Sequence, residues 1–210
     1  MLLLDLNAPV ERHDEPYRWA VARSVIPEPT ARILREQLPA PQDLHPAERT
    51  GDGDKTYRMA VLPLIHRGAH EPGMAKVGEK WHELVSHLQS DAYRDWVNRT
   101  IGIDVTDTMM DIGLFVFRGG DRISAHTDKP GKRATHVIYL NDDWRREHGG
   151  HFEVRTGPDL SISPYATVIP GGGRSVVFAR SERSWHAVAP VAAHAPQFRL
   201  TCQVEMWNLG

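Results

Sequence analysis

The chain has 210 residues, 40% of them hydrophobic, and a formal net charge of -2 at pH 7. That length and composition suit one soluble globular unit with a substantial core, and they leave no basic arm for nucleic acid and no apolar run long enough for a membrane span. Met1 to Asp5 is too short and too soon charged for a secretory signal, and the single cysteine, Cys202, cannot close an intrachain disulfide, so a cytoplasmic protein is expected.

In chain order, the first predicted element is a helix from Ala31 to Gln37, introduced by Glu28-Pro29-Thr30 and stopped by Pro39 and Pro41. Pro41 to Lys55 is rich in proline, glycine and charge, and His66 to Lys76 contains two glycines and one proline; both read as loops. Loops of this kind can form the mouth of a site carried on a rigid scaffold. Lys80 to Leu88 and Ala92 to Thr100 then read as successive helices. Their Trp81, Leu84, Val85, Leu88, Tyr93, Trp96 and Val97 supply apolar contacts that cover a sheet or core. Residues 1–105 are therefore expected to form a mostly helical cover.

Beyond residue 105 the punctuation changes. The apolar run Ile112 to Phe117 is followed by a turn at Gly119-Gly120-Asp121 and a short segment, Arg122 to Asp128. Gly149-Gly150 precedes His151 to Val154, Pro170 to Gly173 makes another break, and Ser175 to Ala179 is β-prone. Short strands at these intervals fit a barrel-like all-β half better than a βαβ array. No phosphate-cradling glycine motif opens a helix, which argues against a nucleotide cofactor.

If Arg122 to Asp128 is extended, His126 and Asp128 project from the same side, since strand side chains repeat every two residues. His186 then arrives from a distant strand. Two imidazoles and one carboxylate cover one face of an octahedral metal and leave positions for a bidentate cosubstrate and dioxygen. One cysteine excludes a thiolate site, and calcium or magnesium would take more oxygen ligands. Iron(II) and catalytic zinc both suit these three residues. Further on, Arg199, Thr201, Gln203 and Glu205 share one face of a strand whose other face is apolar, and a guanidinium fork there can grip a carboxylate bidentately. Tyr139 falls in another short strand, on the side of Thr135, Val137 and Asn141, and a buried tyrosine needs a partner for its hydroxyl.

The ordered set of His126-Thr127-Asp128, Ile138 to Trp144, Gly149-Gly150, Pro170, Val176-Val177-Phe178, His186-Ala187-Val188, Arg199 and Thr201 spans about residues 111 to 207. It resembles the iron(II)- and 2-oxoglutarate-dependent dioxygenases, most closely their prolyl-hydroxylase-like branch. The resemblance implies an α+β, mainly β fold. A double-stranded β-helix, or jelly roll, at 106–210 would lie under the 1–105 cover within a single domain, 1–210. It implies iron held by His126, Asp128 and His186. Arg199 would partner the distal carboxylate of 2-oxoglutarate, Tyr139 would donate to that carboxylate, and Thr201 or Gln203 would assist. The implied reaction couples dioxygen and the decarboxylation of 2-oxoglutarate to hydroxylation of a substrate, releasing succinate and carbon dioxide. The carboxylate at Asp128 favours hydroxylation over halogenation, because family halogenases usually lose it. A small molecule, such as an amino acid or natural-product intermediate, is the expected substrate, and a peptide or protein side chain is the alternative. A non-catalytic metal-binding jelly roll is the third reading, and Arg199 with Tyr139 argues against it by offering a carboxylate somewhere to bind.

Overall fold

The computed structural model describes residues 2–51 and 55–209. In chain order it places β1 (Val10–His13), β2 (Trp19–Arg23), α1 (Glu28–Glu36), β3 (His45–Arg49), β4 (Tyr57–His66), β5 (Ala69–His70), α2 (Glu79–Leu88) and α3 (Asp91–Ile101). Then follow β6 (Thr108–Phe117), β7 (Arg122–His126), β8 (Lys132–Tyr139), β9 (Phe152–Val154), β10 (Ala166–Val168), β11 (Arg174–Ala179), β12 (His186–Val188) and β13 (Arg199–Asn208).

All thirteen described strands join one sheet, in the order β1-β2-β11-β8-β13-β6-β4-β7-β12-β9-β10, with β3 and β5 added on β4. Every pairing is antiparallel. β2 to β4 make the broad face. At β4 the sheet curls onto β7, β12, β9 and β10, so that Phe178 of β11 meets Phe152 of β9 and His186 of β12 across the interior. This is a curled antiparallel jelly roll with a small helical cover.

Strand alternation explains which residues reach the interior. Along β13, Leu200, Cys202, Val204 and Met206 point into the helix-side core with Trp81, Leu84, Tyr93 and Trp96. The odd-numbered residues of the same strand are thereby turned toward the concave side. The helices are pinned as well as packed: the fully buried Trp81 donates its indole N–H to the Leu34 carbonyl at 2.9 Å, and the Tyr93 hydroxyl meets His136 Nδ1 on the back of β8 at 2.7 Å. α3 opens on Ser90, whose Oγ accepts from the Tyr93 amide at 3.3 Å, and ends at Gly102, whose φ of 65° a side chain would strain. No described helix is long and apolar enough to cross a membrane.

The first 105 residues carry more strand than their sequence suggests. Besides the three helices, the described residues of this half contain five strands, and β2 and β4 are integral to the sheet. β2 is buried at four consecutive positions, Trp19 to Ala22, and so lacks the alternation that marks a half-exposed strand. β3 lies inside the stretch read as loop from Pro41 to Lys55, of which 52–54 fall outside the described residues. Its Pro46 is tolerated because β3 is an edge strand, bonded only to β4. α1 begins at Glu28, ahead of the expected Ala31, because Pro29 fits the first turn of a helix, where no amide donor is needed.

Candidate metal centre

β7 and β12 are antiparallel neighbours, and His126 and His186 are direct cross-strand partners, with ring centroids 4.2 Å apart. Asp128 follows just beyond the end of β7. One ligand atom from each of these three buried residues lies within 4.8 Å of the others. The Nδ1 atoms of His126 and His186 sit 2.8 and 2.9 Å from the carbonyl oxygens of Ser124 and Ser184. A carbonyl can only accept, so Nδ1 carries the hydrogen in both rings and each Nε2 keeps its lone pair for a metal. Phe152 and Phe178 pack on His186 at 5.6 and 4.6 Å between centroids, fixing the ring and drying the site.

Asp128 is held from both sides. Its Oδ1 accepts from Lys132 Nζ at 2.9 Å and its Oδ2 from the Thr135 hydroxyl at 2.8 Å. Burial opposes ionisation of Asp128, but Lys132 and His186 outweigh it and hold the carboxyl below its usual range. Burial, with His186 and Lys55 adding to it, pushes His126 down to about 2, and burial pushes His186 down to about 4. At neutral pH the site therefore presents two neutral imidazoles and one carboxylate, the protonation state that metal coordination requires.

These depressed imidazoles make a testable statement about the metal-free protein. His136, buried against α3, is likewise pushed down by burial to about 3. A base whose pKa is lower in the folded than in the unfolded chain binds fewer protons when folded, so stability falls as pH drops below the unfolded value of about 6.5. Each of the three histidines contributes up to about 1.4 kcal/mol per pH unit in that window. Urea unfolding of the metal-free protein at pH 7.5 and 5.5 should show a marked loss at the lower pH. A flat profile would mean that these rings are charged or solvated in the folded state.

Arg199 lies fully buried at the start of β13. Its Nε donates to the Gly150 carbonyl at 2.8 Å, and its guanidinium carbon sits 4.6 Å from the Phe117 ring centroid and 5.3 Å from that of Tyr139. Among the described residues Nη1 has no partner, and neither does the buried Tyr139 hydroxyl. Burial raises Tyr139 to about 12, so this hydroxyl stays a donor at neutral pH. A buried cation and a buried hydroxyl left unsatisfied together are costly unless an acceptor joins them. A carboxylate satisfies both, so the donor set fits the distal end of 2-oxoglutarate. Gly150 is required beside it: its φ is 66°, and a Cβ there would come within 2.9 Å of Arg199 Cδ.

Arg199 and Gln203 line the same cavity as His126, Asp128 and His186. Thr201 is buried on the same face of β13, and its Oγ1 accepts from Gln203 Nε2 at 3.4 Å. Four other polar cavity residues, Lys55, Lys132, Thr135 and Glu205, carry no role in the sequence motifs. Glu205 was legible as a member of the polar face of β13, and Lys132 stands four residues after Asp128, but nothing local indicates that they pair. Asp121, by contrast, serves a turn: it accepts from Arg58 Nε at 2.6 Å and from the Arg118 amide at 2.7 Å.

Fold and site together define an iron(II)- and 2-oxoglutarate-dependent oxygenase. Residues 112–204 match the 2OG-Fe(II) oxygenase superfamily. Among solved structures, a prolyl-4-hydroxylase from Pseudomonas putida superposes with a TM-score of 0.63 at 19% identity, covering 91% of this chain and 93% of that one. A Trichoplax adhaerens prolyl hydroxylase, solved with a hypoxia inducible factor peptide fragment, gives 0.63 at 15% identity, with coverages of 90% and 83%. A non-heme alpha-ketoglutarate-dependent carbocyclase from nogalamycin biosynthesis gives 0.59 at 14% identity, with coverages of 90% and 79%. No curated protein sequence matches the chain.

Proposed function

We propose that His126, Asp128 and His186 hold iron(II), that Arg199 and Tyr139 hold the distal carboxylate of 2-oxoglutarate with help from Gln203 or Thr201, and that the enzyme hydroxylates an unactivated C–H bond of a small molecule. The carrying observation is the unsatisfied pair formed by Nη1 of Arg199, which lines the metal cavity, and the buried hydroxyl of Tyr139 next to it. A metal site kept only for stability has no use for a carboxylate cradle beside it. Bound iron and 2-oxoglutarate supply the oxidising power from dioxygen, with succinate and carbon dioxide as coproducts. The protein orients the cosubstrate through a charge-assisted fork, keeps both imidazoles neutral and excludes water with Phe152 and Phe178.

The substrate reading rests on the space next to the iron. Gln203 and Glu205 line both the metal cavity and a neighbouring cleft on the concave face, where Val61, Pro63 and Phe115 supply an apolar floor. Its carboxylates are Glu71, Asp111 and Glu205, and among the described residues no Lys or Arg lines it. Such a cleft suits an amine-bearing small molecule, an amino acid among them. A peptide is the second reading, favoured by the likeness to the Trichoplax enzyme, whose structure contains a peptide. The single domain is taken to span 1–210, since β2 and β4 complete the sheet. A cytoplasmic setting agrees with one buried cysteine, Cys202.

Anaerobic titration with iron(II) and then 2-oxoglutarate should produce a metal-to-ligand charge-transfer band. Addition of oxygen with amino acids, other amines, neutral metabolites or short peptides should yield coupled succinate selectively with an amine-bearing small molecule. Turnover of peptides alone would overturn the substrate reading. Verified iron binding without any charge-transfer band would overturn the cosubstrate reading and return the protein to a metal-binding role.

A further inference from the structure

Lys132 sets a buried cation against the carboxylate proposed above as a metal ligand. Its side chain is 6% exposed, and its ammonium bridges Asp128 Oδ1 and Glu205 Oε1, each at 2.9 Å. The Trp207 ring lies 5.1 Å from Nζ and closes that side. The two carboxylates differ in position. Asp128 faces the histidines, whereas Glu205 stands at the wall shared by the metal cavity and the neighbouring cleft. One ammonium held between two carboxylate oxygens in this buried setting makes the bridge an ionic one.

Two physical effects follow from this geometry. With Oδ1 bonded to Lys132 and Oδ2 to Thr135, the plane of the Asp128 carboxylate is fixed before any metal arrives. A cation bonded to a carboxylate also draws electron density from it, which makes it a weaker donor to a metal, and interior pairs are little screened by solvent. Glu205 shares the same ammonium, so it tempers that withdrawal. The three side chains form one relay from cleft wall to metal ligand.

Resting on the iron-site reading above, we propose that Lys132 is a positioning residue that orients Asp128 and weakens its donation to the metal, and that Glu205 sets the strength of this effect through Lys132. The relay makes iron(II) harder to oxidise than an unassisted carboxylate would.

The test uses the 210-residue chain loaded with iron alone and reads its iron(III)/iron(II) reduction potential. Lys132→Met should lower the potential, because Asp128 regains its full donor strength. Glu205→Gln should raise it, because Lys132 then acts on Asp128 undivided. In the double variant Glu205→Gln should have almost no effect, since the residue through which it works is gone. Thr135→Val, which releases the other oxygen, should shift the potential in the same direction as Lys132→Met and serves if the latter does not fold by circular dichroism. With 2-oxoglutarate added, the charge-transfer band should move to lower energy in Lys132→Met and to higher energy in Glu205→Gln. Unshifted potentials in folded, iron-loaded variants overturn the proposal, and additive shifts in the double variant overturn the role of Glu205. A wild-type chain that binds no iron overturns the iron-site reading itself and the relay with it.

Discussion

Replacing His126, Asp128 or His186 by alanine is expected to weaken iron(II) binding by more than roughly 100-fold in each case, beyond the 10–100-fold typical of losing an outer hydrogen-bond partner of a metal ligand. Each removes one of the three proposed protein ligands, and the Phe152 and Phe178 rings packed on His186 offer no replacement donor there. The three variants should differ in the stability of the metal-free protein. His126→Ala and His186→Ala remove rings that are buried neutral. Asp128→Ala breaks a buried ion pair and leaves Lys132 with Glu205 alone, which should cost about 3 kcal/mol. Metal titration under anaerobic conditions, together with urea unfolding of the metal-free variants, measures both effects. Unchanged iron affinity in any one folded variant would remove that residue from the ligand set.

The second large effect is expected at Arg199. Arg199→Met keeps a long side chain between Phe117 and Tyr139 but removes the cationic fork, so affinity for 2-oxoglutarate should fall tenfold or more while iron affinity without cosubstrate stays near wild type. The scale follows from a charge-assisted hydrogen bond, worth about 1.5–3 kcal/mol. Tyr139→Phe removes a neutral donor worth about 0.5–1.5 kcal/mol and should produce a milder loss. Because Arg199 lies buried with Nη1 unpartnered, Arg199→Met should leave the cosubstrate-free protein at least as stable as wild type. Calorimetry with iron and then 2-oxoglutarate separates the two binding steps. If 2-oxoglutarate affinity survives the substitution, another group holds the distal carboxylate; Arg174 is poorly placed for it, since it donates to the Gly171 carbonyl at 3.3 Å and does not line the metal cavity. Loss of iron binding in folded Arg199→Met would show that metal and cosubstrate sites are not separable as drawn here.

Much of the centre was legible because its signals are local. His126 and Asp128 are two residues apart, and the alternation of Arg199, Thr201, Gln203 and Glu205 declares one polar strand face without reference to any other strand. The β13 register places that face where the alternation predicts, with the apolar residues against the helices. What was not legible depends on pairing across the chain. The His126–His186 ladder contact is set by β7 and β12 register, and the bridge from Asp128 through Lys132 to Glu205 joins two distant strands. A lone charged residue ordinarily reads as solvated, and only the fold shows Lys132 to be buried. In the first half, β2 escaped because a strand buried on both faces has no period of two, and Pro63 interrupts the pattern of β4 while sitting at a register shift.

β4 has a consequence for any attempt to reduce this enzyme to its catalytic half. Along one edge it is bonded first to β7, through Tyr57 and Arg58, and then to β6, from Ala60 to Ile65, and it is the strand through which the broad sheet curls over to the histidines. Residues 112–204 contain all three proposed metal-binding side chains and Arg199, yet a fragment cut to those bounds would expose one raw ladder edge on β6 and another on β7. Unpaired edges of that kind recruit other chains. A shortened version is therefore better conceived as an aggregation-prone open sheet than as a minimal catalyst, and surface trimming has to begin outside β4.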